Sequence, residues 1–260
     1  MIKFFRQFRR QFLSENKFSK YFIYAIGEII LVVIGILIAL SINNWNQNRI
    51  NASKEHGYLV EIKNDLENQI QLFNRRDILY NSIINKGESI LGDFSKKGNL
   101  FEIDSINTKL SFMMYDLNFP SINTTFNELN STGQLNLIKE KSLRSNIIKY
   151  YQNSEATKES VNSNVKEVFY GHIFPFIKSA IIIHPENFNM KFEKVNKELI
   201  ETHLSPAFKS NLSIPSKEFE IVNAITLKII QAKTNKGSMQ TEAKNAEQLL
   251  NEVYKELNIN

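Results

Sequence analysis

From Tyr21 to Ile42 the chain reads YFIYAIGEIILVVIGILIALSI, twenty-two residues with one ionisable group, Glu28. At about 1.5 Å per residue such a helix spans roughly 33 Å, enough for a hydrocarbon core of about 30 Å. One transmembrane helix over 21–42 is therefore expected. Tyr21 and Tyr24 stand at one rim and Trp45 at the other, the places of an aromatic belt. A cleaved signal sequence would use the run Ile29 to Leu40 and the small-x-small site Ala39-Leu40-Ser41. Against it, the charged region in front is too long and apolar residues begin before Glu28.

The polar run Asn43 to Asn48 ends the span, and a helical period then resumes. Leu59, Ile62, Leu66, Ile70, Phe73 and Tyr80 share one face, predicting a helix to about Ile90 with a soft break at Gly57 and an end near Gly87 and Gly92. Asp104 or Ser105 is placed to cap a helix carrying Ile106, Leu110, Met113, Met114 and Leu117, which stops before Pro120. Another starts near Asn123, with Thr125-x-x-Glu128 as a capping box and Gly133 as its stop. A further helix opens at Ser142 and runs through Leu143, Ile147, Tyr150, Tyr151, Val161, Val165 and Val168 to Pro175, with the tyrosine pair straddling core and surface. Residues 184–215, with Pro185, Pro206 and Pro215, read as irregular, and Ala180 to Ile183 is too short to assign. The last helix starts at Ser216 with an interruption at Gly237. Helices apolar on one face and joined by short turns predict an all-α fold, the N-terminal transmembrane helix being followed by an antiparallel helical bundle over 43–260.

Charge sets the orientation. Lys3, Arg6, Arg9, Arg10, Lys17 and Lys20 face a single acid, Glu15, within residues 1–20, so almost all of the net +5 lies before the span. The positive-inside rule puts residues 1–20 in the cytoplasm and 43–260 in the periplasm. The nearly neutral body lacks the basic footprint that phosphate binding needs, so no nucleic-acid partner is expected. Ile2, Phe5, Phe8 and Phe12 recur at helical spacing with Lys3, Arg6 and Arg10 largely opposite and Arg9 at the apolar edge, the pattern of a helix lying in the inner headgroup layer. Arg6, Arg9 and Arg10, with Tyr21 and Trp45, are the expected interface anchors.

Glu28 is the unusual residue. A carboxylate near mid-membrane costs about 2.5–3.5 kcal/mol on insertion scales and normally finds a partner or reaches the headgroups. Tyr24, Glu28, Gly35 and Ala39 fall on one helical stripe, and Gly35-x-x-x-Ala39 permits close helix approach. The stripe is the expected contact with another transmembrane helix, from a second copy or a different protein.

Cysteine is absent, which removes disulfides, thiolate catalysis and sulfur-ligated metals. His56, His172, His184 and His203 form no H-x-x-x-H or H-E-x-x-H motif; His184 with Glu186, Glu201 and His203 is the only grouping that a metal could use, and surface histidines are the expectation. No phosphate loop, nucleophile elbow or dinucleotide fingerprint occurs, so no cofactor is expected. Arg144 is placed to pair with Glu140.

Residues 4–46, FFRQFRRQFLSENKFSKYFIYAIGEIILVVIGILIALSINNWN, and a second block, Thr125-Phe126-Asn127-Glu128-Leu129-Asn130-Ser131-Thr132-Gly133 with Leu135-Asn136-Leu137-Ile138, Leu143-Arg144 and Tyr150-Tyr151, resemble an uncharacterised family of Gram-negative bacterial membrane proteins with a domain of unknown function. The resemblance implies a short cytoplasmic tail, one span and a periplasmic domain at the inner membrane, and brings no activity or catalytic residue. The expected function is that of a membrane-anchored periplasmic interaction protein, a sensor, adaptor or scaffold rather than an enzyme, partnered by the lipid bilayer and a transmembrane helix. The alternative is an envelope hydrolase built from histidines and acids within 170–215.

Overall fold

The computed structural model describes residues 18–184 and 196–258, with side chains from Phe22 onward. All regular structure among them is helical: α1 (Phe18–Lys97), α2 (Ile106–Ser111), α3 (Thr124–Ser131), α4 (Lys141–Ser163), α5 (Phe174–Ser179), α6 (Lys197–Leu212) and α7 (Pro215–Glu256). Short 3-10 turns occupy Phe112–Met114 and Gln134–Leu137, and a π-helical stretch, Asn164–Ile173, separates α4 from α5. The chain divides into two compact units, 1–57 and 58–260.

In the first unit the apolar run is helical and bare. Phe22, Ile29, Leu31, Leu37 and Ile42 are each more than half exposed. Among the described residues this is the one helix long and apolar enough to cross a membrane.

The second unit has two apolar clusters. One gathers Phe73, Tyr80 and Ile90 of α1, Leu110 of α2, Met113, Phe169 and Ile173 of the π stretch, Ile177 of α5, and Ile221, Ile225 and Ile229 of α7. The other joins Leu59, Ile62 and Leu66 of α1 to Leu129, Ile138, Leu143, Ile147, Tyr150 and Tyr151, and to Ala246, Leu249 and Val253 of α7. Partners on α7 descend as those on α1 ascend. Tyr254 donates to Glu67, Gln240 to Asp77 (2.7 Å) and Lys233 to Glu88 (2.7 Å).

Several breaks expected from glycine and proline are absent. α1 passes through Gly57, Gly87 and Gly92, and α7 through Gly237. Gly87 is where α7 comes close: a Cβ there would meet Ile229 Cγ1 at 2.6 Å. Glycine serves contact at that position, and tertiary packing outweighs its weak helix propensity. α6 occupies part of the stretch read as irregular. Asn196 caps it by accepting from the Leu199 N–H (3.2 Å), and Pro206 lies inside it. Pro185 and Glu186 lie outside the described residues. Ala180 to Ile183 forms no regular element; Asn107 holds it by donating to Ile182 O (3.1 Å) and accepting from Ile182 N–H (2.7 Å).

Helix caps also differ from the expectation. Ser105 sits at the start of α2 in a left-handed conformation (φ 57°) without a side-chain cap bond, and Asp104 pairs with Lys97 instead. The Thr125/Glu128 box does not close. The N-terminus of α3 packs on α1, so the Thr125 N–H donates to Asp65 (3.1 Å) and Glu128 accepts from the Tyr58 hydroxyl (3.0 Å). Gly133 does take the left-handed turn after α3 (φ 68°). Glu140 caps α4 through the Leu143 N–H, the contact that chiefly holds its carboxyl below the usual range, while Arg144 donates to Ile138 O (3.3 Å). Tyr150 and Tyr151 are both buried, correcting the expectation that they straddle the surface; Tyr151 stacks on Phe126 at 4.5 Å.

Candidate functional site

α7 brings polar side chains to positions where its pattern calls for apolar ones. Ile221, Ile225, Ala232, Met239, Ala246, Leu249 and Val253 face the interior, and so do Lys228, Gln231, Asn235 and Glu242. Three of these polar residues lie about one turn apart, and Glu242 follows two turns later on the same face.

The Lys228 ammonium meets Asp116 Oδ2 at 3.1 Å, the two side chains being 0% and 1% exposed. Asp116 belongs to the extended stretch between the Phe112–Met114 turn and α3. The ammonium also lies 4.1 Å from the centroid of the Phe169 ring, whose face carries negative quadrupole. Burial pushes Lys228 down to about 8, with the Asp116 charge acting the other way. Tyr80 of α1 donates to Leu117 O (3.1 Å). Its hydroxyl is held well above the usual tyrosine range, first by burial and then by the Asp116 charge.

Next along α7, Gln231 donates to Asn164 O (2.8 Å), and the Asn164 amide donates to Asn235 Oδ1 (3.2 Å). Gln231 Oε1 and Asn235 Nδ2 have no hydrogen-bond partner among the described residues. Four chain segments thus converge on one buried polar cluster: α1, the 115–119 stretch, the π helix and α7. Further on, Glu242 accepts from the Thr157 hydroxyl (2.8 Å), and burial raises its carboxyl above the usual range.

A buried pair of this kind contributes little net stability, because desolvation offsets attraction, but losing one partner strands a charge. With Lys228 and Asp116 both closed off from solvent, the cluster acts on how the helices pack. Sequence reasoning missed it. The signal was present, since Lys228, Asn235 and Glu242 occupy the apolar register of the last helix.

The residues expected at the membrane are separate from this cluster in sequence and lie in the other unit. Tyr24, Glu28, Gly35 and Ala39 are exposed on α1, and a Cβ added at Gly35 would meet nothing within 4 Å. Trp45 is exposed, with Arg49 at 5.7 Å from its ring. Arg6, Arg9 and Arg10 lie outside the described residues, as does the Tyr21 side chain. Among the histidines, His56, His172 and His203 are exposed. His184 is buried, unlike the surface placement expected, and its Nε2 lies 3.0 Å from Glu201 Oε1. No group of three or more metal-ligating side chains occurs among the described residues.

No curated protein and no solved structure matches the chain. A family model does, over residues 28–165, a match that takes in the apolar segment from Glu28 onward, Asp116 and all of α4. The chain belongs to that family, described as a family of unknown function (DUF6090).

Proposed function

We propose that this protein is a single-pass protein of a bacterial inner membrane, with residues 1–20 in the cytoplasm and 43–260 forming an antiparallel helical bundle in the periplasm. It works there as an interaction protein, a sensor, adaptor or scaffold, with no catalytic role. The observation that carries this reading is the bare apolar surface of α1 between Phe22 and Ile42. A contiguous apolar surface of that size calls for cover by lipid or by another protein. Glu28 within it calls for a partner helix, and Gly35 and Ala39 on the same stripe let one approach. The opposed order of contacts between α1 and α7 supports the bundle.

The test is co-purification from detergent-solubilised membranes, comparing the native chain with Glu28→Leu, together with cysteine crosslinking at Gly35 and Ala39. The chain has no cysteine, so each introduced thiol is unique. The reading predicts a specific partner, or a second copy, that crosslinks at both positions and is lost with Glu28→Leu. Identical partner lists and no crosslink would overturn it.

The second reading, an envelope hydrolase, has one observation in its favour: the buried His184 beside Glu201. It predicts hydrolysis of ester, peptide or phosphoester probes that is lost in both His184→Ala and Glu201→Gln.

A further inference from the structure

The ten residues Asn164–Ile173 are the least expected secondary structure in the chain. π-helical geometry rarely extends beyond a single wide turn, and where it occurs it frequently marks a functional position. NVKEVFYGHI itself contains no proline and one glycine, Gly171, and Pro175 just beyond it lacks the N–H that would bond back to the last turn. That bears on the end of the stretch; contacts with α7 act on its beginning and middle. Gln231 of α7 donates to the backbone carbonyl of Asn164, at the first residue of the stretch, and so draws on an acceptor that an α-helix would use for its own ladder (2.8 Å). The Asn164 side chain donates to Asn235 (3.2 Å). Midway along, Phe169 is buried and lies against the Lys228 ammonium, which is also paired with Asp116. Three side chains of α7, all buried, thus grip the stretch at its beginning and its middle.

We propose that Lys228, Gln231 and Asn235, with Asp116, form a clamp that holds residues 164–173 in the wide form, and that this stretch has a second, α-helical form which the clamp disfavours. Conversion would add about half a turn over ten residues, lengthening the path by roughly 3 Å and turning α5 by the same half turn. Tyr170 and His172, exposed in the wide form, would change their facing, and so would Phe174–Ser179. The device converts a rearrangement of buried polar contacts into rotation of a surface element, as two-state helix shifts do elsewhere. It does not depend on the membrane reading, because every residue involved lies in the unit 58–260.

The test uses the full chain in detergent with spin labels on Glu159→Cys and Lys178→Cys, two exposed positions flanking the stretch. Two clamp variants are compared with the native sequence: Gln231→Leu/Asn235→Leu, and Asp116→Leu/Lys228→Met, which replaces the whole ion pair with apolar side chains. The second covers the case in which the first fails to fold. The expected result is a shift of the distance distribution to a longer value by roughly 3 Å. Amide exchange across 164–173 should slow at least tenfold, toward that of α4. An unchanged distance in a folded variant, or faster exchange across the stretch, would overturn the proposal.

Discussion

Along 22–42, Phe22 is 67% exposed and Leu31 65%, whereas Lys228 and Asp116 in the other unit are 0% and 1% exposed. One region turns oily side chains outward and the other turns charges inward. Both depart from the usual rule that apolar residues are inside and charges outside. The difference lies in what surrounds each. A helix with no protein cover and an apolar surface is suited to a solvent of hydrocarbon, in which its backbone bonds are already satisfied. A lysine inside a helical core has no such solvent and depends on its carboxylate, its aromatic ring and the neighbouring amides. The first arrangement tolerates exchange of one apolar residue for another. The second depends on every partner being present.

That contrast gives the largest expected effect. Lys228→Met alone, or Asp116→Asn alone, should destabilise the folded chain by about 3–5 kcal/mol, because each strands a buried group. Asp116→Leu/Lys228→Met together should be close to neutral or stabilising by about 1–4 kcal/mol. Denaturant titration in detergent, followed by the near-ultraviolet circular dichroism of the tyrosines, reads both. A double variant as unstable as the singles would break the comparison. In the exposed region, Leu31→Val should leave the same transition unmoved.

Glycine offers an intermediate effect of either sign. Gly87→Ala places a Cβ 2.6 Å from Ile229 Cγ1 and should cost about 1–3 kcal/mol as overpacking. Gly57→Ala and Gly237→Ala meet no atom within 4 Å and should each stabilise by about 0.5–1 kcal/mol, as alanine does in a helix.

The smallest effect is one of pH. Burial raises the Glu242 carboxyl above its ordinary 4.5, so between that value and the folded one the folded state keeps a proton that the unfolded state releases. Stability from this group is fully present below 4.5 and is lost as pH rises through the folded value. Glu242→Gln, neutral throughout, should flatten that decline and be the more stable form at pH 7. The same titration at pH 4.5 and 7 measures it.

The helical class and the inward face of α1 were legible because Leu59, Ile62, Leu66, Phe73 and Tyr80 keep a period that packing alone can satisfy. Gly133 was legible for the same local reason, its left-handed turn. The cap of α3 was not, because its Thr125 N–H and Glu128 are engaged by Asp65 and Tyr58, far away in sequence, and at α2 the expected cap Asp104 is drawn to Lys97 instead. Gly57 and Gly237 were misread as breaks, and Gly87 and Gly92 as an end, because propensity is weak against a long packed face; Pro206 was misread as part of an irregular stretch because one lost hydrogen bond does not end a helix. The ion pair was concealed for a different reason. Asp116 and Lys228 meet only after the chain folds, and neither residue's neighbours announce the other.

Single-cysteine labelling in whole cells tests most directly the proposed placement of residues 21–42 in lipid with the following domain on the outer side. Ser95→Cys, at an exposed position of α1, should react with a membrane-impermeant maleimide in intact cells permeabilised only at the outer membrane, on a chain that resists carbonate extraction and retains its N-terminus. Labelling of Ser95→Cys only after lysis of the inner membrane, or a mature chain beginning near Ile42, would contradict the account.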